Sequence, residues 1–103
     1  CKDLRNLEFV RSVLPQYDIC CLQETFISLN CRKEDLITLG ALAGFPYYGK
    51  SARPGLFTPA MTDGGLLTLS RFPIEYSEFQ PYPYGVFSDS VSQKGVLYTR
   101  IHI

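Results

Sequence analysis

Leu4, Leu7, Val10, Val13 and Leu14 recur at helical spacing, while Lys2, Arg5, Glu8 and Arg11 fall elsewhere on the wheel. This pattern predicts an amphipathic helix with Asp3 as its N-cap and Pro15 as its stop. After a very short turn, Tyr17 to Leu22 forms a nearly unbroken apolar run that ends abruptly in Gln23-Glu24. Such a run predicts a strand buried on both faces and packed with the helix as an α/β unit.

The periodicity then returns to helical over Asn30 to Gly44. Leu36, Leu39, Ala43 and Ala41 lie inward, Arg32, Lys33, Glu34 and Asp35 supply a polar start, and Gly44 with Pro46 supplies the stop. Tyr47-Tyr48 opens a short strand, and Lys50 to Asp63, with Pro54, Gly55 and Pro59, reads as a loop. Leu66 to Leu69 is a strand entered through Gly64-Gly65. Arg71-Phe72-Pro73 turns the chain into Ile74 to Phe79, which predicts that those two strands pair. Pro81-Tyr82-Pro83-Tyr84-Gly85 is a stiff aromatic loop. Val96 to Ile103 alternates between an apolar face and a mixed one, as a half-buried strand does. An early α/β unit followed by strands, without internal repeats, points to part of a mixed α/β layered fold.

Composition bounds this picture without changing it. The 103 residues suffice for one modest domain. Hydrophobic residues at 46% against charged residues at 19% argue for a packed core and against disorder. Ten basic and ten acidic residues cancel, so no basic footprint advertises nucleic acid. No stretch approaches the roughly 20 apolar residues that span a bilayer. The start at Cys1 predicts a piece cut from a longer chain, so the lack of a leader carries no information on location. Cys20 and Cys21 are strand neighbours pointing to opposite faces, and Cys1 and Cys31 complete no metal-ligand spacing. Free thiols, and hence a reducing compartment, are expected.

Glu24 is the first candidate for chemistry. A carboxylate delivered at the C-terminal end of a buried strand sits on the sheet rim where α/β proteins bind ligands, and it is a hard ligand for Mg²⁺. The alternative is an exposed Glu that merely solvates the strand end. Asp63, in Thr62-Asp63-Gly64-Gly65, has the same two readings, because that tetrapeptide is also a turn signal. Asp89 and Lys94 are either site residues or two solvated loop charges.

Asp18-Ile-Cys-Cys-Leu-Gln-Glu24 resembles the strand that supplies the metal-binding Glu of the endonuclease/exonuclease/phosphatase superfamily, to which deoxyribonuclease I belongs. Asp63-Gly-Gly-Leu-Leu-Thr-Leu-Ser-Arg-Phe-Pro-Ile74 is similar to a second superfamily segment. Tyr82-Pro-Tyr-Gly85, Asp89, Ser92-Gln-Lys-Gly95 and Tyr98 are similar to the neutral sphingomyelinase branch.

The resemblance implies the N-terminal half of a four-layer α/β/β/α sandwich with a mixed sheet, residues 1–103 forming a single partial domain. It implies an Mg²⁺-dependent phosphodiesterase hydrolysing sphingomyelin to ceramide and phosphocholine. Glu24 would hold the metal, Asp63 and Lys94 would serve catalysis, and Asp89 with Lys94 would bind substrate. A sphingomyelin-like phospholipid at a membrane surface is the implied partner; the location is not legible, though a cytoplasmic or membrane-peripheral setting is favoured. The Phe79, Tyr82, Tyr84 and Phe87 series is either a lipid-facing surface or loop packing. Arg53 and Arg71 are candidate anion contacts on charge alone.

The superfamily's paired catalytic histidines and its Asp-x-Asn motif are missing. The one histidine, His102, lies inside the last strand and is expected to be structural. The segment alone is therefore expected to be inactive and to fold poorly, with an open edge and an uncovered face. Two alternatives stand beside this reading: a nuclease or inositol-phosphate phosphatase of the same superfamily, or a non-catalytic remnant of the fold. Oligomeric state is not legible.

Overall fold

The computed structural model describes residues 4–23, 32–51, 65–81 and 95–103. Among the described residues two helices, α1 (Leu4–Ser12) and α2 (Arg32–Leu42), lie beside five strands: β1 (Ile19–Leu22), β2 (Tyr47–Lys50), β3 (Leu67–Ser70), β4 (Ile74–Pro81) and β5 (Gly95–Ile101). A 3₁₀ turn over Leu14–Gln16, with Pro15 inside it, links α1 to β1.

β1 and β2 flank β3 in a three-stranded sheet, and β4 pairs with β5 in a second, two-stranded one. The described ladders are all antiparallel. Alternation along β3 sorts the layers. Leu67 and Leu69 join Val10, Leu14, Leu36 and Phe45 in the buried core, with Cys20 and Leu22 packed against it. Cβ atoms on one face of β3 therefore meet the helices. Gly40 of α2 comes so close that an added Cβ would stand 3.4 Å from the Leu69 side chain. The other face of the sheet meets the hairpin, where Gly49 of β2 approaches Ser77 and Thr99. Helices, first sheet and second sheet make three successive layers.

Four expectations need correction. First, Ile74 to Phe79 does not pair with Leu66 to Leu69. β3 already has a neighbour on each side, so the chain leaves that sheet at Arg71–Pro73 and founds the next one. Ser70 Oγ shapes the corner by accepting from the Phe72 N–H and donating to the Phe72 carbonyl, both at 2.9 Å. Second, β1 is not buried on both faces, because Cys21 is exposed. Third, in α1 the inward positions are Asn6, Val10 and, in the following turn, Leu14, while Leu4 and Val13 are exposed. Asn6 is admitted to the interior because its side-chain amide donates to Asp35 of α2 at 2.9 Å. Fourth, Ala41 and Ala43 are exposed; α2 turns Leu36 and Leu39 inward as expected and also buries Lys33. Gly44 ends α2 as expected, at φ +96°, the left-handed conformation favoured just past a helix C-terminus.

Candidate active site

Antiparallel pairing dictates which strand ends meet. Leu22 of β1 pairs with Leu67 of β3, and Lys50 of β2 pairs with Leu67 from the other side. The end of β1, the end of β2 and the beginning of β3 thus share one margin of the sheet. The second sheet adds its own strand start there. Leu97, near the beginning of β5, lines a small cleft together with Cys21, Leu22, Gln23, Leu66, Leu67 and Thr68. The cleft measures about 140 Å³.

The candidate residues attach to this margin by chain connectivity. Glu24 follows Gln23 directly, Asp63 precedes Gly65 by two positions, and Lys94 precedes Gly95, the first residue of β5. Glu24, Asp63, Asp89 and Lys94 themselves lie outside the described residues, as do Arg53, Tyr82, Tyr84 and Phe87. Gly65 enters β3 at φ +73°, a conformation that a glycine adopts without strain.

The described lining of the cleft carries no charge. Leucines dominate it, with oxygen from Gln23 and Thr68, and the Thr68 hydroxyl donates to Cys21 Sγ at 3.8 Å. Among the described residues no group of three or more His, Cys, Asp or Glu side chains could hold a metal ion. A hard cation such as Mg²⁺ requires carboxylate oxygen, which Gln23 and Thr68 do not supply. A carboxylate ligand at this margin would have to come from outside the described residues. Burial pushes the Cys20 thiol above its ordinary value, and the neighbouring Cys21 adds to the effect, so Cys20 stays a protonated packing residue.

Two residues that drew attention by their charge belong elsewhere. Arg71 sits at the opposite end of β3, where its backbone N–H donates to the Asp18 carbonyl at 3.0 Å. Its side chain donates to the carbonyls of Tyr17 at 3.2 Å and Pro15 at 3.4 Å, faces Asp18 at 3.5 Å and covers the Phe45 ring at 4.4 Å. It latches the α1–β1 connection to the sheet, at the end of β3 away from the cleft. His102 pairs with Glu75 at 3.0 Å beside the Ile74–Ile101 end of the hairpin, far along the strands from Gly95. That placement agrees with a structural role. Sequence reasoning missed Lys33, which is 0% exposed and donates to Ser51 Oγ at 3.0 Å. Its signal was a lysine in the first turn of a helix, where a cation opposes the helix dipole.

Helices on a three-stranded sheet, with a second sheet packed on its other face, are the first layers of the deoxyribonuclease I-like α/β/β/α sandwich. Solved structures share that fold. Sphingomyelinase C from Streptomyces griseocarneus matches with a TM-score of 0.77 and 26% identity, over 97% of this chain and 37% of that one. A beta toxin variant from Staphylococcus aureus, solved with bound magnesium ions, matches with a TM-score of 0.79 and 21% identity, again over 97% and 37%. The chain belongs to the endonuclease/exonuclease/phosphatase family, whose profile covers residues 3–101. A sphingomyelinase of Dictyostelium discoideum is 42% identical over 98% of this chain. The chain spans only 22% of the length of that relative.

Proposed function

We propose that this chain contributes the N-terminal half of the catalytic domain of an Mg²⁺-dependent phosphodiesterase that hydrolyses sphingomyelin to ceramide and phosphocholine. One observation carries the reading. The residue that precedes Glu24, the strand that follows Asp63 and the strand that follows Lys94 all meet at one cleft between two sheets. Family membership and the sphingomyelinase relatives support the choice of substrate.

In this reading Glu24 holds the metal, Asp63 and Lys94 line the reacting centre, and Asp89 with Lys94 binds the substrate phosphate. When bound, Mg²⁺ would polarise a phosphoryl oxygen and offset charge on the leaving group. The chain's own contribution is positioning. Pairing of β1 with β3 sets Leu22 opposite Leu67, the strand ends next to which Glu24 and Asp63 stand in the sequence. A Lys at position 94 adds a flexible positive charge suited to a phosphodiester. The substrate is a phospholipid presented at a membrane surface.

The test uses protein made from the full coding sequence, assayed for phosphocholine release from sphingomyelin vesicles and for nicking of plasmid DNA, with and without Mg²⁺. Release that disappears on chelation and falls at least about 100-fold in Glu24→Gln is the expected result. Nicking without lipid cleavage would transfer the chain to the nuclease side of its family. Inactivity in both assays supports a remnant that kept the sheets and lost the chemistry.

A further inference from the structure

The β4–β5 hairpin turns two unlike faces to its surroundings. Ser77 and Thr99 look toward Gly49 of the first sheet, so alternation sends their strand neighbours to the other side. There the register sets Tyr76 opposite Arg100, Glu78 opposite Tyr98 and Gln80 opposite Val96, and all six are exposed. A sheet face meant for burial under another layer is apolar. This one carries a cation, an anion and an amide, as a solvated face does.

Its chemistry is nevertheless specific. The Tyr76 and Tyr98 rings stand 6.1 Å apart at 59°, forming an open V of two aromatic faces. Glu78 lies beside them, held by the Tyr76 hydroxyl at 2.7 Å and the Gln80 amide at 3.0 Å. Tyrosine faces attract cations, and the chain places one of its own there, with the Arg100 guanidinium 5.9 Å from the Tyr76 centroid. Among the described residues that guanidinium pairs with no carboxylate. Two rings and a carboxylate suit a quaternary ammonium, and a guanidinium suits a phosphate. A phosphocholine group carries both charges a short distance apart. A second copy of the chain would also offer both, but the face is too small for it. The 7 residues of β5 and their partners span roughly 23 Å by about 10 Å, well short of the ~800 Å² per partner of a stable protein interface.

We propose that the outer face of the β4–β5 hairpin docks the phosphocholine headgroup of a membrane lipid. Tyr76, Tyr98 and Glu78 receive the trimethylammonium, and Arg100 receives the phosphate. The site is distinct from the cleft, since Leu97 turns toward the cleft and Tyr98 turns away from it. Its purpose rests on the phosphodiesterase reading: it would hold the enzyme on the choline-headed bilayer whose sphingomyelin is cleaved. Binding and cleavage are measured separately, so either can fail alone.

Protein from the full coding sequence is sedimented with vesicles of phosphatidylcholine, and with vesicles in which half of that lipid is replaced by phosphatidylethanolamine. Wild-type protein should favour the first. Tyr98→Leu, Glu78→Gln and Arg100→Gln should each weaken binding to phosphatidylcholine by about 5-fold. Tyr98→Phe should bind as wild type, because the ring face remains. Hydrolysis of a soluble phosphocholine ester, which needs no docking, should be equal in Tyr98→Leu and wild type, and that equality also shows the variant to be folded. Wild-type vesicle binding in Tyr98→Leu and Glu78→Gln overturns the proposal, and so does an equal loss in Tyr98→Phe and Tyr98→Leu. Self-association in sedimentation equilibrium that Arg100→Glu abolishes would give the face to a second copy and overturn it as well. Ring-dependent binding by a protein that leaves sphingomyelin intact supports the docking site and counts against the proposed reaction. Cleavage of sphingomyelin by a protein that does not distinguish the two vesicles counts against the docking site alone.

Discussion

Gly49 lies directly against the second sheet. A Cβ at this position would stand 2.5 Å from Ser77 Oγ, 3.2 Å from Thr99 Oγ1 and 3.3 Å from Ser77 Cβ. Rotation of Ser77 moves its Oγ away but not its Cβ, so the neighbours must give by a few tenths of an ångström. Gly49→Ala should destabilise the protein by about 1–3 kcal/mol, the usual range for overpacking. Ser77→Gly in the same molecule should recover part of that loss, and thermal or denaturant melts of the single and double variants measure both effects. Wild-type stability in Gly49→Ala would mean that the sheets are not held this closely. Nothing in the sequence marks Gly49 as the contact point, because Tyr47-Tyr48-Gly49-Lys50 reads simply as a short strand. The partner that makes it special arrives 28 residues later, at Ser77.

The elements themselves were legible wherever their own periodicity set their burial, and misread wherever a neighbour did. β5 alternates as its sequence predicts, with Leu97, Thr99 and Ile101 turned inward and Val96, Tyr98 and Arg100 outward. The β3–β4 connection was misread as a hairpin because a local turn signal says nothing about how many neighbours β3 already has. Burial of Asn6 has no signal in the sequence of α1, because its partner, Asp35, lies across a helix interface. On the outer face of the hairpin, Tyr76 donates to Glu78 at 2.7 Å and Gln80 donates to the same carboxylate at 3.0 Å. The Tyr76 bond, with that from Gln80, holds Glu78 below its ordinary carboxylate value, and the same bond to Glu78 raises Tyr76. A depressed acid contributes stability that is present above its unfolded pKa and lost as pH falls through its folded pKa. Tyr76→Phe should therefore move the Glu78 titration upward, toward the ordinary Glu range, in a carbon-detected NMR titration. An unmoved midpoint would show that the bond does not persist in solution.

At the scale of the whole chain, the layering decides which strand ends come together. One sheet face is committed to helices and the other to a second sheet, so the strand ends at the margin are the natural place for chemistry. Their convergence follows from β1–β3 pairing and from the stacking of β5 over that pair. The abrupt end of an apolar run at Gln23-Glu24 and the glycine pair before β3 were visible in the sequence. What they share, a single rim, was not, because it depends on antiparallel pairing between segments 45 residues apart at Leu22 and Leu67. Lys33 escaped for the complementary reason: a charged residue in a polar helix start looks solvated until Ser51 and the sheet are placed over it.

The central claim is that this rim binds a divalent cation through Glu24 next to the segment carrying Asp63. Protein from the full coding sequence, crystallised and soaked with Mn²⁺ in place of Mg²⁺, tests it directly through anomalous scattering. The account predicts a peak at the mouth of the Gln23–Leu66 cleft, within about 2.0–2.3 Å of a Glu24 carboxylate oxygen. That peak should vanish in Glu24→Gln. A metal bound elsewhere with Glu24 turned away from it, or a peak unchanged in that variant, contradicts the account.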